Sequence, residues 1–138
     1  DPALADRMLE VFRIGGSTHT WVVTGDDGLD EVALTGPTRI LELRDGAASE
    51  WTLDPTDLGM TLAEASDLAG GSPEANAEIA HDLFAGRERG PRRDIVALNA
   101  GAGLVVAGVA DGIADGVERA IAALEDGSAA AVLESISA

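Results

Sequence analysis

Apolar residues recur at helical spacing near the start of the chain, at Leu4, Met8, Val11 and Phe12. Asp1-Pro2 offers a carboxylate cap and a proline for the first turn, and Gly15-Gly16 ends the element. The run His19 to Gly25 (HTWVVTG) is β-branched and aromatic, the texture of a buried strand. From Glu31 the period changes to two. Three short segments, EVALTG, TRILELRDG and SEWTLD, read as strands, and Asp45-Gly46 is a turn signal between the last two. Between Arg39 and Arg44, Ile40 is the one misfit in an alternation that sets Leu41 and Leu43 among polar neighbours.

The second half of the chain is helical in texture. Asp54-Pro55 and Gly59 mark a loop, and TLAEASDLAGG is open between a short helix and a loop. Ser72-Pro73 opens a helix, with serine as cap, proline at the first position and Glu74 in the first turn. Ala75, Ile79, Leu83 and Phe84 keep its period, and Gly86 ends it. DIVALNAGAGLVVAG is apolar almost all round, which predicts a central, buried helix. The next helix sets Ile113, Val117, Ile121 and Leu124 on one face, and Ser128 caps a last one ending near Ile136. The order predicts a mixed α/β fold, helices covering a sheet, in one domain over residues 1–138.

Composition narrows the function classes. The apolar fraction of 46% supports a packed core, and aromatics are only 3%, so Ala, Val, Leu and Ile must build it. Twenty-five acidic residues face nine basic ones, all arginine, for a net charge of −16. A field of that sign repels phosphate backbones and anionic membranes, so neither nucleic acid nor membrane is expected as a partner. There is no cysteine, hence no disulfide or thiolate chemistry. No apolar run is long enough to span a bilayer, and the N-terminus lacks the layout of a signal peptide. The chain begins at Asp1-Pro2 rather than Met, as expected for a piece of a longer protein.

Chemistry is concentrated in one place. Asp26, Asp27, Asp30 and Glu31 fall within six residues, directly after the first strand, preceded by Gly25 and broken by Gly28. Adjacent carboxylates in a turn can reach one cation, and Mg²⁺ takes one or two protein carboxylates plus water and phosphate oxygens. Asp26-Asp27-Gly28 is also ordinary turn composition, and local pattern alone favours the turn. His19 and His81 lack partners at ligand spacing and read as structural or exposed. The glycines of AGAGLVVAG lack dinucleotide-fingerprint spacing and read as close helix packing. The arginines of GRERGPRR are open between a phosphate cradle at a helix start and a solvated turn.

Taken together, DPALADRMLEVF, VVTGDDGLDEVALTGPTRILELRDG, TLDPTDLG, LAGGSPEANAEIAHDLFAG, GPRRDIVALNAGAGLVVAG and GVERAIAALEDGSAAAVLESI resemble anthranilate phosphoribosyltransferase, in that family's order. The strongest piece is Gly28 to Thr38, G-L-D-E-V-x-L-T-G-P-T; the family usually has His where this chain has Thr24. The resemblance implies the C-terminal portion of a phosphoribosyltransferase-type α/β domain. It implies a parent enzyme that passes phosphoribosyl from phosphoribosyl pyrophosphate to anthranilate in the cytoplasm, for tryptophan biosynthesis. Mg²⁺ is the implied cofactor, with Asp30 and Glu31 as its ligands and Asp26 and Asp27 left as turn residues. The family's glycine-rich pyrophosphate loop and most anthranilate-binding residues lie upstream. The isolated chain is therefore expected to be inactive, and to recruit either the missing N-terminal half or another copy of itself. A related nucleoside phosphorylase and a non-enzymatic binding module of the same fold are the alternatives.

Overall fold

The computed structural model describes residues 2–25 and 28–137, with the side chains of Pro2 and Ser137 aside. The cap expected at Asp1 and the turn expected at Asp26-Asp27 lie outside the described residues. Helix α1 (Pro2–Ile14) leads into strand β1 (His19–Gly25), a long loop, and a hairpin of β2 (Thr38–Arg44) and β3 (Ala47–Leu53). A 3-10 turn (Pro55–Leu58) and a short α2 (Ala65–Leu68) precede four helices: α3 (Pro73–Phe84), α4 (Pro91–Val106), α5 (Ile113–Glu125) and α6 (Ser128–Ser137).

The strands form an antiparallel sheet in the order β1-β2-β3, with Val22 opposite Leu41 and Ile40 opposite Trp51. Asp45 and Gly46 both take positive φ, 50° and 83°, so the hairpin closes as the Asp-Gly turn signal requires. Ile40 ceases to be a misfit. It packs with Val32, Leu34, Leu53, Ile95, Leu98 and Val117 on one face of the sheet. Leu41 and Leu43 pack with Ala5, Leu9 and Val22 on the other. Both faces of β2 are covered, so apolar residues stand on both.

One expected strand is absent. EVALTG is not a strand: Val32, Ala33 and Leu34 are buried in an irregular loop between β1 and β2. The helical period expected at the start of the chain is present in α1, but its stripe faces outward. Ala5 and Leu9 face the sheet, while Leu4, Met8, Val11, Phe12 and Ile14 stay exposed. Ala5 and Leu9 pack on Val22, Leu41 and Leu43, and Arg39 of β2 pairs with Asp6 of the helix at 3.4 Å.

Helix α4 is central but buried on one side only, through Ile95, Ala97, Leu98, Gly101, Ala102 and Val105; Ala100 and Gly103 are exposed. Of its glycines, Gly101 makes the close packing expected, against Gly116 and Val117 of α5. Gly103 meets nothing, and Gly108 lies just past the helix end with φ of 70°. The caps match the sequence at α3, where Ser72 Oγ accepts from Ala75 N. Before α6 the acceptor is Asp126 Oδ1, which takes the Ser128 N–H at 2.8 Å.

Candidate metal site on the loop after strand β1

The loop is closed at its base. Gly28 N donates to Gly25 O at 3.1 Å and Gly25 N to Leu29 O at 3.4 Å. Gly28 takes φ of 85°, a conformation that favours glycine over any residue with a Cβ. Asp30 then stands exposed and Glu31 half-buried.

The three residues after this pair are held firmly. Val32, Ala33 and Leu34 are 1%, 0% and 0% exposed, so their backbone groups need partners inside the protein. Asn99 of α4 supplies both for Val32: its Oδ1 accepts from Val32 N at 2.8 Å and its Nδ2 donates to Val32 O at 2.9 Å. Nδ2 also donates to Ile95 O at 3.0 Å, one turn back on α4. Thr38 Oγ1, fully buried, accepts from Ala33 N at 2.9 Å, and Ala63 N donates to Leu34 O at 3.1 Å. The carboxylates thus stand at the edge of a loop whose next residues are buried and bonded. Nothing in the sequence marks Asn99 for this task, because it lies 67 positions from Val32 and carries no motif.

Among the described residues, no three His, Cys, Asp or Glu gather as a metal cage. A lone carboxylate pair suits a hard cation that completes its shell with water and phosphate oxygens.

The arginines and His19 have partners within the chain. Arg87 pairs with Asp82, Arg89 with Glu125 and Arg93 with Asp94, while Arg92 donates to Ala69 O. Three of the four are thus ion-paired, and Arg92 and Arg93 lie in the first turn of α4. His81 is exposed on α3. His19 Nε2 lies 2.8 Å from Glu42 Oε1, and Trp51 Nε1 donates to Glu42 Oε2 at 3.3 Å. Burial pushes the Glu42 carboxyl up, but the Trp21, His19 and Trp51 N–H groups around it outweigh that and hold it below the usual carboxylate range. The Trp21 indole N–H faces this group without reaching hydrogen-bond geometry. Trp21 also meets Trp51 edge to face at 5.1 Å, so the group reads as a polar plug in the sheet face.

Known proteins share this arrangement of elements. Residues 1–130 match the glycosyl transferase family, a/b domain. The anthranilate phosphoribosyltransferase of Methylorubrum populi is 48% identical over 132 residues, 96% of this chain and 39% of that protein. The chain therefore spans about two fifths of the length of such relatives. The crystal structure of anthranilate phosphoribosyltransferase from Thermus thermophilus superposes with a TM-score of 0.88 at 36% identity, covering 97% of this chain and 39% of that one. The Saccharomyces cerevisiae enzyme in complex with PRPP and Mg superposes at 0.76 with 25% identity, covering 84% and 33%. By fold, by sequence and by the extent of the match, the chain belongs to the glycosyl transferase family, a/b domain.

Proposed function

We propose that these 138 residues are one unit, the C-terminal portion of a cytoplasmic anthranilate phosphoribosyltransferase acting in tryptophan biosynthesis, and that Asp30 and Glu31 are its Mg²⁺ ligands. The observation that carries the reading is the carboxylate pair in the loop after β1, held by a backbone that is buried and bonded from Val32 onward. The relatives it resembles bear the activity in their names, and one was solved with PRPP and Mg.

Displacing pyrophosphate from an anomeric carbon needs positioning and neutralisation of the leaving group. Bound Mg²⁺ supplies positive charge to the pyrophosphate oxygens. The chain's own part is to present two hard oxygen donors whose footing does not shift. Asp30 is exposed, and half-buried Glu31 is anchored by the peptide that Asn99 holds. Anthranilate and the remaining phosphate contacts fall to the upstream portion, so the chain alone is inactive and works with that portion as partner.

A turnover assay tests the reading. Supplied with phosphoribosyl pyrophosphate, anthranilate and Mg²⁺, the 138-residue chain should give no product. Joined to the upstream portion of the M. populi enzyme it should turn over, and Asp30→Asn with Glu31→Gln should abolish that turnover. Activity of the chain alone would overturn the division of labour. Unchanged kinetics in the double variant would remove the pair from the site.

A further inference from the structure

We infer that Asn99 is a positioning residue for the Asp30-Glu31 pair, acting through the peptide that joins Glu31 to Val32. The inference rests on the metal-ligand reading above and assigns a role to a residue outside the loop. The Val32 N–H belongs to that same peptide. Its bond to Asn99 Oδ1 at 2.8 Å therefore fixes the plane from which the Glu31 Cα projects. The return bond from Nδ2 to Val32 O at 2.9 Å fixes the far side of the same residue. The third bond, to Ile95 O, locks the amide to α4 and leaves one orientation that satisfies all three partners.

A strand neighbour could have satisfied Val32 equally well. It would also have drawn the preceding residues into a ladder, where adjacent side chains point to opposite faces. A single side-chain amide pins one residue and stops there. Asp30 and Glu31 remain outside any ladder, while the residue after them is held in place. Asn99, Thr38 and Ala63 between them bond three consecutive buried residues that form no strand. Asn99 also lines a shallow cleft of about 300 Å³ between β1 and α4, with His19, Trp21, Val23 and Val32.

The test uses the complete gene product and Mn²⁺ as the probe, titrated by electron paramagnetic resonance in saturating inorganic pyrophosphate. Asn99→Ser should weaken Mn²⁺ binding about 10- to 100-fold, the usual cost of losing an outer-shell support. Leu124→Ala, a core truncation at the C-terminal end of α5, should lower the melting temperature and leave Mn²⁺ affinity unchanged. Asn99→Asp keeps the shape and the acceptor for Val32 N–H but loses both donations, and should weaken binding likewise. In the wild type, exchange of the Asn99 side-chain amide protons should slow when Mg²⁺ and pyrophosphate are added. Wild-type affinity in both Asn99 variants, equal weakening in Leu124→Ala, or unchanged amide exchange overturns the positioning role. If Asp30→Asn with Glu31→Gln binds Mn²⁺ like the wild type, the metal-ligand reading itself falls, which is a separate outcome.

Discussion

Gly101 and Gly116 face each other where α4 meets α5, so closely that neither can carry a side chain. A methyl group on Gly116 would lie 2.5 Å from the Gly101 carbonyl oxygen, and one on Gly101 would lie 2.7 Å from Val117 N. Both obstacles are backbone, which cannot swing aside. Gly116→Ala should therefore destabilise by roughly 1–3 kcal/mol despite its better helix propensity. Gly103→Ala, in the same helix as Gly101 with nothing within 4 Å, should instead stabilise by roughly 0.5–1 kcal/mol. Urea unfolding of the two variants should show midpoints moving in opposite directions.

Thr38 is a fully buried polar side chain in the core, and its hydroxyl satisfies Ala33 N. Thr38→Val keeps the shape and leaves that N–H unbonded, at a cost of about 1–3 kcal/mol. Thr38→Ser keeps the acceptor and should cost less. If valine and serine prove equally mild, the hydroxyl is not holding the loop.

Glu42 sets a pH dependence. A carboxyl with a lower pKa folded than unfolded binds fewer protons in the fold than in the open chain. Its contribution is complete above about pH 4.3, the ordinary glutamate value, and is lost as pH falls through the folded value. Other carboxylates, among them Glu50 and Asp115, are also held low, so only a difference is diagnostic. The wild type should lose more stability than Glu42→Gln between about pH 5 and about pH 3, measured by urea midpoints. Parallel profiles would show that the cluster of His19, Trp51 and Glu42 contributes nothing to acid stability.

Helix α1 exposes Val11 at 67% and Ile14 at 75% beside Leu4 at 54%. An apolar stripe of this kind marks a surface that other protein covers. The chain on its own should self-associate with rising concentration, and Val11→Glu with Ile14→Lys should shift it toward monomer without lowering its unfolding midpoint. Static light scattering and urea melts together check both halves of that statement.

The parts of the fold written in local pattern are legible in the sequence. The β-branched run from His19 and the Asp45-Gly46 turn mark β1 and the hairpin, and Ser72-Pro73 marks the start of α3. EVALTG imitates a strand because Val32 and Leu34 alternate like half-buried residues, whereas their backbone partners are Asn99 and Ala63, far along the chain. The direction of α1 is hidden for another reason: Ala5 and Leu9 are an apolar pair four residues apart, as Leu4 and Met8 are, and periodicity alone does not say which pair meets the sheet. Asp30 and Glu31 look like a turn on composition. Only the surrounding G-L-D-E-V-x-L-T-G-P-T pattern singles them out. Asn99 has no local signal, since its role exists only once α4 lies against the loop.

Ile40 and Leu41 are consecutive residues that belong to separate dry compartments, one under α4 and one under α1. Strand β2 is the wall between them. It begins at Thr38, which grips Ala33, and its next residue, Arg39, grips Asp6 of α1. One strand thus anchors two neighbours at once, helix α1 through Arg39 and, through Thr38, the buried segment that follows Asp30 and Glu31.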